Sequence, residues 1–249
     1  MRKDLEAQLR RQSMWLRDSL LWILKTKVLE PSHFAERPTA LDVGCGPGMT
    51  MELFKPFIRV QGVDIDPEMV RAAKSRGFDA EQADGQKLPY EDDSFDVVYC
   101  SFVLMWIKDP LKILEEMTRV SRSWVIAFAE PDYGARLDYP SGLSELTGLV
   151  MDGIRAEGGD PLIGRKLRHL FANAGMDADL GIHMGIWDIE KLRQESEDEW
   201  GWLEMTVPAD MKEELDRLRP AWERALNDGS LFQFNPTFYA LGRKKPGSH

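Results

Sequence analysis

The chain has 249 residues, 43% of them hydrophobic and 30% charged, which suits one large α/β domain with insertions or two small domains. Its formal net charge of −10 disfavours a nucleic-acid substrate, because phosphate recognition needs a basic surface, and Arg243-Lys244-Lys245 is only a short basic run. No stretch approaches the roughly 18 uninterrupted apolar residues of a membrane span. The apolar segment Ser19 to Leu24 also lacks the length and cleavage site of a signal peptide, so no membrane partner and a cytoplasmic location are expected.

In chain order, residues 1–38 read as an amphipathic helical segment. Leu5, Leu9, Leu16, Leu20, Ile23 and Leu24 recur at helical spacing, Trp15 and Trp22 lie seven apart, and Pro31 ends the helix. Strands and helices then alternate. Ala40 to Val43 is a strand, Gly44 to Gly48 a turn, Met49 to Phe57 a helix and Val60 to Ile65 a second strand. Pro67 to Arg76 is a helix with proline in its first turn. Ala80 to Gln82 and Phe95 to Cys100 are strands, Pro110 to Val120 a helix and Trp124 to Ala129 a fifth strand. Strands that are apolar throughout and alternate with helices imply a mostly parallel sheet covered on both faces.

Beyond Glu130 the alternation breaks. Gly142 to Glu157 and Arg165 to Ala174 read as helical, the latter capped by Gly175, and Ile182 to Trp187 and Thr237 to Leu241 as late strands. The expected division is a helical lid over 1–38, a core over 39–187, a charged helical insertion over 188–230 with Trp200, Trp202 and Trp222, and the last strand and tail over 231–249. The two cysteines, Cys45 and Cys100, fall inside core motifs and read as buried thiols rather than a disulfide. The four histidines show no metal-ligand spacing, His249 ending a Gly-Ser-His tail, so no metal is expected.

The segment Leu41-Asp42-Val43-Gly44-Cys45-Gly46-Pro47-Gly48 is a strand entering a glycine-rich turn before a helix. Glycines serve there because the backbone turns sharply and must approach a ligand without a Cβ in the way. Asp64 ends the next strand, about 20 residues after Gly44, the separation expected of an acid that accepts from ribose hydroxyls. The alternative duty of capping the helix at Pro67 falls to Asp66.

Asp42 to Gly48 resembles the first motif of class I S-adenosylmethionine-dependent methyltransferases, and Gly62-Val63-Asp64-Ile65-Asp66 resembles their second. Ala83 to Tyr90 resembles their adenine-binding motif, and Ser94 to Ser101 their fourth strand, in the ubiquinone/menaquinone-type small-molecule branch. The resemblance covers Ala40 to Glu130. It implies a Rossmann-like, doubly wound, seven-stranded sheet with S-adenosylmethionine as cofactor and S-adenosylhomocysteine as product. The implied cofactor contacts are Asp42, Gly44, Cys45, Gly46, Gly48, Asp64, Ile65, Met69, Asp84, Gly85, Gln86, Ser101 and Phe102, with Asp84 accepting from the adenine amino group. The chain departs from the family in carrying Met105 where many relatives have histidine, and in replacing a Gly-Gly pair by Arg119 to Ser123. The motif of nucleic-acid amino methylases and the acidic metal set of catechol-type enzymes are missing.

Methyl transfer from an activated donor requires mainly a nucleophile held in line, and a general base only where the acceptor arrives protonated. Glu130, Asp132 and Tyr133, following strand five, are the candidate catalytic residues, and Trp15, Trp106 and Tyr139 the candidate walls of a small-molecule pocket. An acidic, aromatic pocket of that kind would suit a neutral or cationic acceptor. A non-catalytic S-adenosylmethionine-binding or regulatory protein, or a protein- or RNA-directed enzyme, is the alternative. The acceptor atom and the oligomeric state are open.

Overall fold

The computed structural model describes residues 10–11, 14–183 and 188–244. The expected helical positions Leu5 and Leu9, the end of the expected strand at Trp187, and the tail from Lys245 to His249 lie outside them.

The leading segment is helical: α1 (Arg17–Trp22) runs into a π-helical stretch, Ile23–Leu29, and a last turn, Glu30–Ser32. Leu20, Ile23, Leu24 and Val28 are buried against one face of the sheet, whereas Trp22 on the opposite side is half exposed, with the Lys27 ammonium 5.6 Å from its ring centre. Trp22 is therefore neither core nor pocket wall.

The alternating region supplies β1 (Thr39–Val43), α2 (Met49–Phe54), β2 (Arg59–Asp64), α3 (Pro67–Ser75), β3 (Ala80–Gln82), β4 (Phe95–Cys100), α4 (Pro110–Val120) and β5 (Ser121–Pro131). The helices begin where the chain offers an acceptor followed by proline. Asp66 accepts from the Glu68 N–H at 2.7 Å ahead of α3, and Asp109 from the Lys112 N–H at 3.4 Å ahead of α4. Along β5, Trp124, Ile126 and Phe128 join the core under α1 and α2, while Val125 and Ala127 join the core under α4. Both faces are covered, which is why no polar alternation shows in the sequence.

Later elements are β6 (Leu137–Tyr139), α5 (Glu145–Ala156), α6 (Leu167–Asn173), β7 (Ala178–Ile182), α7 (Ile189–Gln194), α8 (Ser196–Thr206), α9 (Lys212–Asp228), β8 (Phe232–Phe234) and β9 (Thr237–Arg243). The main sheet has seven strands in the order β3-β2-β1-β4-β5-β9-β7, parallel except that β9 runs antiparallel to both neighbours. The fold is thus the doubly wound, mostly parallel α/β sheet that the sequence implies.

Two features differ from expectation. A strand begins earlier than expected, at Ala178–Ile182, where Leu180 pairs with Ala240; of the strand expected at Ile182 to Trp187 it contains Ile182 and not His183, and residues 184–187 lie outside the described residues. The polar residues Asp177 and Asp179 had masked an edge strand that is covered on one side only. The helical insertion is also not built from residues 188–230 alone. β6 pairs antiparallel with β8 in a separate two-stranded sheet, and α5 contributes Leu146 and Val150 to the same apolar core as Trp200, Leu203 and Trp222. A buried ion pair fixes this sheet: Arg136 donates to both carboxylate oxygens of Asp138, at 2.8 and 3.0 Å.

Candidate cofactor and active site

Strands β1 and β4 are neighbours, but the chain leaves their carboxyl ends in opposite directions, toward β2 and toward β5. Such a reversal opens a crevice at the sheet edge where ligands bind. Here it holds a cavity of about 520 Å³, within the range of small-molecule sites.

The glycine turn forms one wall. Gly44, Gly46 and Gly48 have φ of 73°, 52° and 82°, the left-handed region that side chains disfavour. A Cβ on Gly44 would stand 2.5 Å from a Val103 methyl, so the turn after β1 and the turn after β4 meet across that glycine. The Gly44 and Cys45 N–H groups donate to the Val63 carbonyl at 2.8 and 2.9 Å, tying the turn to β2. Gly62 is needed for a second contact, since a Cβ there would lie 2.7 Å from the Cys45 sulfur.

Asp64 reaches over this turn. Its Oδ2 accepts from the Gly46 N–H at 2.8 Å and its Oδ1 from the Asp66 N–H at 2.9 Å. Each oxygen keeps capacity for a further donor, and burial pushes the carboxyl pKa upward. On the far side of the cavity Asp84 accepts from the Gln86 N–H at 2.9 Å and is exposed. Phe102, after β4, has a left-handed φ of 58°, held by its N–H donating to the Ala129 carbonyl at 2.7 Å.

The structure brings Gly44, Cys45, Gly46, Asp64, Ile65, Met69, Asp84, Gly85, Gln86, Ser101, Phe102 and Trp106 to one cavity. Asp42 and Gly48 stand behind it. Asp42 is buried, accepts from the Thr50 hydroxyl at 2.6 Å, and has its pKa pushed up to about 7 by burial, so it braces the turn from beneath. Gly48 starts α2 against Phe78. Leu20, Thr50, Val103, Ile107 and Ile113 also line the cavity. Four of them are apolar and the Thr50 hydroxyl is engaged by Asp42, so their side chains gave no sign of a ligand contact.

The three candidate catalytic side chains have other engagements. Glu130 is fully buried behind the turn after β4, and its carboxylate accepts from the N–H groups of Val103 and Leu104 at 3.1 Å and Met105 at 3.3 Å. Burial pushes its pKa up to about 7. Asp132 receives both arms of the Arg165 guanidinium, at 2.6 and 2.7 Å. Tyr133 is buried and stacked on Trp202 with ring centres 6.0 Å apart. None of the three lines the cavity. Nor does Trp15, which lies beneath the Arg11 guanidinium at 4.8 Å, or Tyr139, exposed on β6. Among the described residues no group of three or more His, Cys, Asp or Glu is placed to hold a metal ion.

A parallel sheet with one reversed strand beside β5, a glycine turn after β1 and an acid ending β2 define the class I methyltransferase fold. Residues 41–127 match the methyltransferase domain family, and this stretch is a class I methyltransferase domain. A protein encoded in a transposon of Streptomyces fradiae is 35% identical over 164 residues, 61% of this chain and 47% of that protein. The ubiquinone/menaquinone biosynthesis C-methyltransferase of Bdellovibrio bacteriovorus is 34% identical over 148 residues, 52% of this chain and 62% of that one. The crystal structure of the YcgJ protein of Bacillus subtilis superposes with a TM-score of 0.59 at 20% identity, covering 92% of this chain and 99% of that one. The chain spans about half the length of the curated relatives it matches.

Proposed function

We propose that the protein is an S-adenosylmethionine-dependent methyltransferase acting on a small-molecule acceptor. The observation that carries this reading is Asp64, bonded to the Gly46 N–H above the crevice with oxygens still able to accept from hydroxyls. The match of residues 41–127 to the methyltransferase domain family supports it, as does the C-methyltransferase activity that names the Bdellovibrio relative.

The residues present fit a nucleoside carrying an amino-acid tail. A side chain on Gly44 would strike Val103, and one on Gly85 would come within 3.0 Å of Val43, so both glycines let the backbone that lines the cavity pack closely on its neighbours. Asp64 would hold the ribose hydroxyls and Asp84 the adenine amino group, with Ile65 and Met69 supplying apolar surface between them. When bound, S-adenosylmethionine supplies a methyl group already activated on a sulfonium. The chain's own contribution is then placement: Phe102, Val103 and Trp106 shape the space beyond the turn after β4, and Leu20 of the N-terminal segment closes one side as part of a lid. Holding two reactants in line can supply roughly 7–11 kcal/mol of barrier reduction. A cytoplasmic location accompanies this reading, supported by the two free buried cysteines.

The test is incubation of the full chain with methyl-labelled S-adenosylmethionine and pools of small molecules, followed by mass spectrometry. One-methyl mass gains that disappear with Asp64→Ala are expected. Absence of any cofactor-dependent mass gain across chemically diverse pools, with S-adenosylhomocysteine failing to bind, would contradict the reading.

A further inference from the structure

After β4, the residues that line the cavity are Ile113 and those of one short turn: Ser101, Phe102, Val103, Trp106 and Ile107. Asp64, Asp84 and the glycine turn form the cofactor end, so this turn is the wall left to face a methyl acceptor. Among the described residues it carries no carboxylate, and the acidic acceptor pocket expected from the sequence is not formed there. The backbone of the turn is held from three sides. From β5, the Ala129 carbonyl accepts from the Phe102 N–H at 2.7 Å. The Glu130 carboxylate accepts from the next three N–H groups, Val103 and Leu104 on Oε1 and Met105 on Oε2. From the glycine turn, Gly44 makes room for the Val103 methyls. From the loop between α5 and α6, the Asp160 N–H donates to the Met105 carbonyl at 2.7 Å. In the same loop a Cβ on Gly159 would come to 3.0 Å from the Trp106 ring, so the ring is backed by that loop.

An irregularity in β5 accompanies the placement of Glu130. Ala127 pairs with Ala240 and Glu130 with Phe238, three steps along β5 against two along β9, so β5 carries one extra residue here. A bulge of this kind re-aims side chains near the end of a strand. Burying a carboxylate completely is costly unless hydrogen bonds compensate it, and the three that Glu130 makes all run to this turn. Resting on the methyltransferase reading, we infer that Glu130 is a positioning residue for methyl transfer: touching neither reactant, its carboxylate presets the turn after β4, and with it the Trp106 ring, as the acceptor wall. The cofactor end has anchors of its own, the Asp64 bond to the Gly46 N–H and the Val63 carbonyl beneath Gly44 and Cys45. Cofactor affinity and acceptor placement are therefore separable in this site.

The experiment compares the full chain with Glu130→Gln and Glu130→Ala, each labelled for NMR and carrying fluorotryptophan. Amide hydrogen exchange is read residue by residue, and the Trp106 fluorine signal is assigned by its loss in Trp106→Phe. Calorimetry gives S-adenosylhomocysteine affinity, and label passed from methyl-labelled S-adenosylmethionine into small-molecule pools gives transfer. Glutamine keeps one oxygen, so it should speed exchange at Met105 alone by about tenfold or more relative to β1 amides such as Val43. Alanine should speed Val103, Leu104 and Met105 together. Both variants should shift the Trp106 signal. In Glu130→Gln, S-adenosylhomocysteine affinity should stay within a few-fold of the parent while transfer falls by roughly a hundredfold, the cost of misplacing reacting groups by about 1 Å. The inference is overturned if the turn amides speed up no more than those of β1, if the Trp106 signal stays in place, or if affinity and transfer fall in parallel. Binding of S-adenosylhomocysteine with no label transferred by the parent would overturn it too. Failure of the parent to bind S-adenosylhomocysteine at all would instead remove the reading beneath it.

Discussion

The carboxylate of Asp64 accepts a 2.8 Å hydrogen bond from the backbone N–H of Gly46, so the acid ending β2 and the glycine turn ending β1 form one unit. Asp66, two residues on, spends its carboxylate on the first turn of α3. Asp64→Ala should therefore weaken S-adenosylhomocysteine binding by at least about tenfold, since one charge-assisted hydrogen bond is worth about 1.5–3 kcal/mol. Asp66→Ala should lower helix stability by roughly 1 kcal/mol and change affinity only a few-fold. Calorimetry on both variants checks the contrast, and equal losses of affinity would refute it.

Trp106 is the one candidate pocket aromatic that the structure places on the cavity, and it is 46% exposed. Trp106→Ala should cut kcat/KM for an identified acceptor by roughly tenfold or more through lost aromatic contact, with little change in Tm. Tyr139→Ala, on the exposed face of β6, should alter neither. Steady-state kinetics beside thermal melts tests both.

Burial raises Asp42 and Glu130 to pKa values of about 7. The folded chain thus keeps two protons that the unfolded chain releases in the ordinary carboxylate range. Between about pH 5 and 7 the unfolded state binds fewer protons, so these groups make stability fall as pH rises, each by up to roughly 3 kcal/mol, and level off above 7. Glu130→Gln should flatten that fall. It should also destabilise the fold at low pH, because the amide nitrogen replacing one oxygen cannot accept from the Met105 N–H. Urea titrations of both proteins across this range are the check, and parallel pH dependences would contradict the assignment.

The Arg136–Asp138 pair is almost wholly enclosed, with side-chain exposures of 3% and 0%. Asp138→Ala leaves a buried guanidinium without its partner and should cost about 3–5 kcal/mol. The double change Arg136→Met with Asp138→Leu should recover most of that loss. Chemical denaturation of the three proteins decides it, and a single variant as stable as the parent would show that the pair does not brace the β6–β8 sheet.

The core and the cofactor end of the site were legible because their signals are local. A short apolar run such as Val97 to Cys100, set between turns and rich in valine and tyrosine, reads as a strand buried on both faces, and a glycine turn with an acid ending the next strand specifies its geometry within a few residues. Helix starts at Pro67 and Pro110 were equally plain, each with an aspartate before it. What the sequence concealed depends on partners far along the chain. Glu130 lies near the end of β5 and Asp132 and Tyr133 follow it, where ligand contacts are common, yet backbone N–H groups 25–27 residues earlier, Arg165, and Trp202 engage them. The pairing of β6 with β8 joins segments about 95 residues apart, and three-residue strands carry too little periodicity to reveal it. Leu20 belongs to a stripe that reads simply as core, and it is buried core as well as cavity wall.

The most direct test of the central claim is calorimetric titration of the full chain with S-adenosylhomocysteine, with NAD as the control nucleotide. Saturable single-site binding of S-adenosylhomocysteine, diminished by Asp64→Ala, with no heat from NAD, is the predicted result. Tight binding of NAD with no response to S-adenosylhomocysteine would contradict it.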